Sequence, residues 1–228
     1  MADLLLVLRF FRIVSPLPPM MVGTLAVVAV GASMVAVADV ERTADALVPL
    51  LTLQLFAAAS GFAGPARRGY YDLLLTSADR RLTIGVVHWV MSVGPGLLAW
   101  AWVAAVEASA RRAFPGLSLA AGSAAALIMV STLAWACTVP LPRFAGAIGW
   151  LVTAVAAMSV WRMDRVFQSG SAELMSVAAL VNPGLLIGRP LNPDEVLAVA
   201  PALALGIAGV GAACAWIART DYPLEASQ

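Results

Sequence analysis

The chain has 228 residues, of which 61% are hydrophobic and only 12% are charged, and its formal net charge is +1. Soluble domains carry about 25% charged residues, so this composition excludes an ordinary soluble domain and indicates an integral membrane protein. The near-zero net charge gives no reason to expect a nucleic acid as partner.

The first 19 residues predict an interfacial helix followed by a proline-rich turn. Residues 2–14 are mostly apolar, carry Arg9 and Arg12 on one face, and are too few to span a bilayer. A helix lying in the membrane surface fits this pattern best, and a frayed basic leader is the alternative. Prolines in residues 15–19 stop the helix because they remove backbone donors.

Six apolar segments then predict one all-α membrane domain of six transmembrane helices, covering residues 20–217. In chain order the segments are residues 20–38, 46–64, 82–106, 117–139, 144–160 and 192–217. Pro65 is expected to end the second segment, and Gly94-Pro95-Gly96 is expected to break the third. Residues 218–228 are expected to form a short cytoplasmic tail.

The connection between the fifth and sixth segments is too apolar to be an ordinary loop. Residues 172–181 and 185–188 are mostly apolar and are separated by Asn182-Pro183-Gly184. Neither piece is long enough to cross a bilayer, so residues 166–190 predict two short re-entrant helices.

Several single residues inside the segments have a predicted role. Gln54 is expected to hydrogen-bond between helices, and Gly206, Gly209 and Gly211 to pack against a neighbouring helix. His88, the only histidine, is expected to be structural or to face lipid headgroups. Glu107 is expected to pair with Arg111 at the interface. Both cysteines, Cys137 and Cys214, are expected to be buried small apolar residues.

The sequence contains no motif of a membrane enzyme. It has no Gly-x-Ser-x-Gly elbow, no His-Glu-x-x-His pair, no aspartate-rich diphosphate motif and no phosphate loop. It therefore predicts no catalytic residue, cofactor site or metal site in this chain, and any ATP hydrolysis has to take place on another chain.

Residues 69–81 form the most informative stretch. It is polar at both ends and apolar in the middle, and arginines precede and follow it. This pattern predicts a short amphipathic helix held at a membrane surface, either as an ordinary loop helix or as a docking element.

The stretch resembles the coupling-helix segment of type-2 ATP-binding-cassette (ABC) transporter permeases. The matching residues, at the spacings of that family, are Gly69, Asp72, Leu73, Leu74, Leu75, Ser77, Arg81, Ile84 and His88. Ala78 stands where the family usually has proline, and Arg80 where it usually has serine. The order of interfacial helix, six spans, coupling segment and re-entrant helices is also similar to that family over nearly the whole chain.

This resemblance implies the membrane subunit of an ABC exporter, without enzymatic activity of its own. Its partners would be a second permease, identical or related, and cytoplasmic ABC ATPase subunits that carry ATP and Mg²⁺. The ATPase-coupling interface would comprise Gly69, Asp72, Leu74, Leu75, Ser77, Arg80 and Arg81.

The same resemblance places the protein in the plasma (inner) membrane with both termini cytoplasmic, an orientation that the arginines favour in the first half of the chain. The scarcity of charge in the spans favours an apolar or amphipathic substrate. The alternatives are a haem-handling permease of cytochrome-c maturation, and a membrane enzyme or assembly factor with no transport role.

Overall fold

Five long helices make up most of the structure described by the computed structural model. It describes residues 17, 19–38, 43–67, 78–111, 117–141, 144–145, 147–149, 151 and 199–219. The helices are α1 (Pro19–Ala38), α2 (Thr43–Arg67), α3 (Ala78–Arg111), α4 (Leu117–Thr138) and α5 (Ala200–Arg219). The predicted all-helical fold is confirmed for this part of the chain.

Three helical segments are long and apolar enough to span a membrane: Pro19–Ala38, Arg81–Ala110 and Ala200–Arg219. Helices α2 and α4 contain shorter apolar stretches, Leu47–Gly61 and Gly122–Thr138. These helices are those of a membrane protein. The predicted interfacial helix at residues 2–14, most of the fifth span and the re-entrant helices lie outside the described residues.

Helix α3 is the central helix of the described bundle, since it contacts each of the other four. Glycines allow close approach at two of these contacts. A Cβ atom at Gly61 of α2 would lie 2.6 Å from Ser92 Oγ of α3, and one at Gly85 of α3 would lie 3.0 Å from Cys214 Sγ of α5. Both glycines therefore set the spacing between α3 and its neighbours.

The contacts also fix the directions of the helices. Paired residues that run in opposite order along α3 and its neighbours are Gln54–Ser92, Gly61–His88, Ser123–Trp100, Thr132–Trp89, Cys214–Gly85 and Ala218–Arg81. Helices α2, α4 and α5 are therefore antiparallel to α3. Helix α1 runs parallel to α3, because Met21 near its start contacts Ser60 near the end of α2.

One end of the bundle is rich in arginine. Helices α1 and α3 begin there, and α2, α4 and α5 end there. Of the arginines in the five helices, Arg67, Arg80, Arg81 and Arg219 lie at this end and Arg111 lies at the other. We call the first the arginine-rich end and the second the outer end.

Prolines interrupt neither α2 nor α3, which corrects two expectations from the sequence. Helix α2 continues through Pro65 to Arg67, and α3 continues through Pro95 to Arg111. A proline inside a helix leaves the carbonyl of the residue four positions earlier without its usual donor, so bonds from a neighbouring helix help such a turn to remain helical. At Pro65 the neighbouring helix supplies the missing donor, to the Gly61 carbonyl. At Pro95 a donor from α2 bonds the carbonyls of Ser92 and Val93 in the same turn, but not that of Met91, four positions before the proline.

The helix ends also differ from the predicted boundaries at two places. Residues 78–81, predicted to close the short amphipathic helix, are the first turn of α3. Helix α5 extends to Arg219, so the predicted tail loses its first two residues to that helix.

Candidate functional site

A cluster of polar side chains lies inside the bundle, where α2, α3 and α4 meet. Gln54, His88, Ser92 and Trp135 are all fully buried, with 0% of their surface exposed. Polar groups in the interior of a membrane-spanning bundle are costly unless they are hydrogen-bonded, and they often mark functional sites. This cluster is therefore the strongest candidate site among the described side chains.

His88 is held by hydrogen bonds at both of its ring nitrogens. Trp135 Nε1 lies 3.0 Å from His88 Nδ1, and an indole nitrogen can only donate. Nδ1 is therefore the acceptor, and it also lies 3.3 Å from Ser92 Oγ. The proton is on Nε2, which donates to the Gly61 carbonyl oxygen at 3.2 Å. His88 is thus a neutral imidazole in its Nε2–H form.

The ring of His88 also packs on the indole of Trp135. The two ring centroids are 6.1 Å apart and the planes are inclined by 25°. Since Trp135 is on α4 and Gly61 is on α2, one side chain of α3 joins three helices.

The carbonyl that His88 bonds is the one that Pro65 leaves without a donor. In a regular helix the N–H of residue 65 would donate to Gly61, but proline has no N–H. The imidazole Nε2–H takes its place at 3.2 Å. His88 therefore satisfies the backbone of α2 at its internal proline.

Gln54 also supports the proline-containing turn of α3, from the α2 side of the same interface, although it does not bond the Met91 carbonyl that Pro95 leaves without a donor. Its Nε2 donates to the carbonyl oxygens of Ser92 at 3.0 Å and Val93 at 3.4 Å, in the turn immediately before Pro95. A Cβ atom at Gly96 would overlap the Gln54 amide, so a glycine is needed for the amide to lie there. Each helix of the pair thus supplies a donor to the proline-containing turn of the other.

Among the described residues, the Gln54 amide forms hydrogen bonds through its nitrogen but not through its oxygen. Its Oε1 is buried and accepts no hydrogen bond within the part of the chain that the structure describes. A buried acceptor without a donor costs about 1–3 kcal/mol, which makes this contact less stable than a fully bonded one.

The geometry of the cluster shows a structural role for its polar side chains. Both nitrogens of His88 are occupied by protein groups, and no set of three metal-ligating side chains is found among the described residues. The expected interhelical role of Gln54 and the expected structural role of His88 are both confirmed.

The predicted coupling residues are described only in part. Gly69, Asp72, Leu74, Leu75 and Ser77 lie outside the described residues.

Arg80 and Arg81 are in the first turn of α3, at the arginine-rich end. Arg81 is partly buried, and its Nη1 donates to the Ala218 carbonyl oxygen at 3.3 Å. The last carbonyls of a helix carry partial negative charge and lack partners within the helix, so an arginine is well suited to bind there.

The expectations for the cysteines and for Glu107 have mixed outcomes. Cys214 is buried as expected, but Cys137 is exposed on the surface of α4, so the expectation that Cys137 is buried was wrong.

Glu107 is buried in α3, with 3% of its surface exposed. The side chain of Arg111 lies outside the described part of the chain, so the pairing of Glu107 with Arg111 stays a prediction.

Two of the three glycines of α5 pack as expected. Gly206 and Gly209 face α4: a Cβ atom built at Gly206 would lie 3.6 Å from Met129 Cα, and one at Gly209 would lie 3.5 Å from Leu133 Cδ2. A Cβ atom at Gly211 would meet nothing within 4 Å, so this glycine makes no close packing contact with the described residues.

An apolar groove of about 390 Å³ lies between α1 and α3, beside Pro95. Its lining is entirely apolar: Val22, Leu25, Ala26, Ala29, Val30, Pro95, Leu98, Ala99 and Trp102. Both walls belong to helices that are long enough to span a membrane. The groove therefore suits an apolar group far better than a polar one.

No known protein family, curated protein or solved structure matches the chain.

Proposed function

We propose that this chain is the membrane subunit of an ABC exporter, driven by ATP that separate cytoplasmic ATPase subunits hydrolyse. A second permease, identical or related, would complete the membrane part, and ATP and Mg²⁺ would be bound by the ATPase subunits. The exported substrate would be apolar or amphipathic, which agrees with the apolar lining of the groove between α1 and α3.

The observation that carries the proposal is the position of the helix ends on either side of residues 69–77, the part of the resembling segment that precedes α3. Helix α2 ends at Arg67 and α3 begins at Ala78, both at the arginine-rich end. Loops rich in arginine remain on the cytoplasmic side of most membrane proteins. A docking element between α2 and α3 would accordingly face the compartment that contains ATP.

The contacts of α3 support a mechanical role for that segment. Helix α3 follows the segment directly and contacts the four other described helices. The Arg81–Ala218 bond joins its first turn to the last turn of α5. A force applied at residues 69–77 would therefore be transmitted to two helices at once.

The proposal includes a fifth span between α4 and α5, because these two helices have their facing chain ends at opposite ends of the bundle. Helix α4 ends at the arginine-rich end, whereas α5 begins at the outer end. A fifth span between them, as proposed for residues 144–160, would connect these two ends and leave both termini of the protein on the cytoplasmic side.

The test is co-purification of an ATPase with the tagged protein from native membranes, identified by mass spectrometry. We expect the parent chain to retain an ATPase that contains a glycine-rich phosphate loop. The double variant Leu74→Asp with Arg80→Glu should lose it, because the apolar contact and the charge at its edge are both removed. Arg81 is left unchanged, since its bond to α5 belongs to the fold.

The matched control is Ala110→Asp. Ala110 is exposed at the outer end of α3, the helix that also contains Arg80. The control variant should retain the ATPase, and both variants should elute as single species from size-exclusion chromatography. Full retention of the ATPase by the folded double variant, or its absence from the parent preparation, would reject the proposal.

The haem-handling alternative has less support. A histidine that binds haem iron needs a free ring nitrogen, and both nitrogens of the only histidine are bonded to protein groups. A preparation without haem absorbance agrees with the exporter, and a pigmented one would favour this alternative. A membrane enzyme or assembly factor with no transport role would be purified active, or in a stable complex, without any ATPase.

A further inference from the structure

We propose that α3 is a hinged helix: its outer half, residues 96–111, turns at Pro95 against an anchored inner half, and the Gln54 bond holds the closed position. The inference concerns a conformational change of this chain and does not depend on which partner drives it.

The inner half of α3 is fixed by polar bonds to three helices. Arg81 is bonded to α5, His88 to α2 and α4, and Trp89 Nε1 donates to Thr132 Oγ1 of α4 at 3.0 Å. Gly85 adds a close backbone approach to α5. Movement of this half would require the two buried bonds of His88 and the partly buried bonds of Arg81 and Trp89 to break together.

The outer half of α3 has a polar bond on one face and the apolar groove on another. Trp100 Nε1 donates to Ser123 Oγ of α4 at 2.9 Å, which holds one face. The face toward α1 carries Leu98 and Trp102, whose surfaces are 74% and 56% exposed, and it borders the groove of about 390 Å³. The outer half therefore has space on one side.

The break between the two halves is located at residues 92–96. Pro95 cannot donate a hydrogen bond, so this turn is weaker than the turns on either side. Gln54 holds it from α2 through the carbonyls of Ser92 and Val93. Because Gln54 Oε1 has no donor among the described residues, the held state is not fully bonded, and its release costs correspondingly less.

The surroundings of Gly96 and the groove beside α1 give the direction of the movement. On the α2 side, the space at Gly96 is filled by the Gln54 amide. At Gly94 a Cβ atom would meet no atom of the described residues within 4 Å. Release of Gln54 should let the outer half move away from α2, and the groove of about 390 Å³ leaves room for it toward α1, so the groove should narrow.

The experiment measures spin-label distances by electron paramagnetic resonance in lipid nanodiscs. Labels are placed at the exposed positions Ala38 of α1 and Ala105 of α3, after Cys137→Ser and Cys214→Ala remove the native thiols. A reference pair at Leu82 of α3 and Trp216 of α5 reports on the anchored half.

Gln54→Leu should shift the Ala38–Ala105 distances toward shorter values and leave the reference pair unchanged. The ratio of released to held populations should rise about fivefold, as for the loss of one typical hydrogen bond. Gly96→Ala should act in the same direction, since its Cβ atom displaces the Gln54 amide without removing it.

Two matched controls should leave both distances unchanged. Thr52→Val removes a polar group of α2 that donates to Val48 within its own helix, and Gly94→Ala adds a methyl group to the open side of the same turn. The hinge is refuted if Gln54→Leu and Gly96→Ala, whichever of them folds, leave the outer distance unchanged. It is equally refuted if they move the reference pair by the same amount.

Discussion

The imidazole of His88 makes three different contacts with one ring. Its Nε2–H donates to the Gly61 carbonyl that Pro65 leaves without a donor, its Nδ1 accepts from Trp135, and its face packs on the indole. Serine or asparagine could supply one of the two hydrogen bonds, but neither has the length and the ring surface for all three contacts. This explains why a polar ring can be stable at a fully buried position.

Replacement of His88 by leucine should therefore destabilise the protein strongly. Two buried groups, the Gly61 carbonyl and the Trp135 N–H, would lose their partner, which corresponds to about 2–4 kcal/mol of unfolding free energy. Trp135→Phe should cost about 1 kcal/mol, because Ser92 Oγ remains near His88 Nδ1. The measurement is thermal or denaturant unfolding in detergent.

The double variant His88→Leu with Trp135→Phe tests whether the two side chains belong to one hydrogen-bond network or stabilise the protein independently. Its destabilisation should be smaller than the sum of the two single effects, since the same bond is lost in each. Trp216→Phe, at an exposed indole, is the control and should leave stability unchanged. Strict additivity of His88→Leu and Trp135→Phe would contradict the network.

At the scale of the helices, the sequence predicts where a span begins and ends better than it predicts whether a helix continues through an internal proline. Apolar length alone is enough to find α1 and α4 within one residue of their described ends. The same reasoning fails at Pro65 and Pro95, because the donors that support these turns of α2 and α3 come from other helices. A local pattern carries no information on what a neighbouring helix supplies.

The individual residues of the candidate site could be predicted from the sequence, but their arrangement into one site could not. Gln54, His88 and Pro95 each stand out in the sequence as single polar or helix-breaking residues in apolar segments. Their pairing depends on the register of α2 against α3, which the spacing of small and polar residues in one sequence does not determine. The bond from Arg81 to α5 is hidden for the same reason, since its acceptor is a backbone carbonyl 137 residues away.

Gly61→Ala tests this register directly. The added Cβ atom would lie 2.6 Å from Ser92 Oγ and 3.2 Å from Ser92 Cβ, so α2 and α3 would have to move apart. Overpacking of this kind costs about 1–3 kcal/mol, and it should also weaken the His88–Gly61 bond. Unfolding in detergent is again the measurement.

A second substitution at the same contact should partly restore stability. Ser92→Ala removes the nearest atom and should recover part of the loss in Gly61→Ala. Gly31→Ala, at an exposed glycine of α1 with nothing within 4 Å of its Cβ position, is the control and should be neutral or slightly stabilising. Equal effects of Gly61→Ala and Gly31→Ala would mean that α2 and α3 do not approach so closely.

For the whole molecule, the two ends of the described bundle differ in their number of arginines, and this difference predicts the orientation in the membrane. The arginine-rich end carries Arg67, Arg80, Arg81 and Arg219, and it is also the point where Arg81 joins α3 to α5. Arginine near the ends of spans resists translocation, so this end should remain in the cytoplasm. The proposed ATPase interface requires the same orientation.

Single cysteines at the two ends should therefore react from opposite sides of the membrane. In a background with Cys137→Ser and Cys214→Ala, Pro140→Cys should react with a membrane-impermeant maleimide only in inside-out vesicles. Ser109→Cys should react only in right-side-out vesicles, because Ser109 is exposed near the outer end of α3. Val27→Cys, exposed in the middle of α1, should react in neither, since a thiol inside the bilayer meets no water. Labelling of Pro140→Cys from outside would place residues 69–81 on the side of the membrane that has no ATP. That result would overturn both the orientation and the exporter proposal. The hinge in α3 would still have to be judged by its own test.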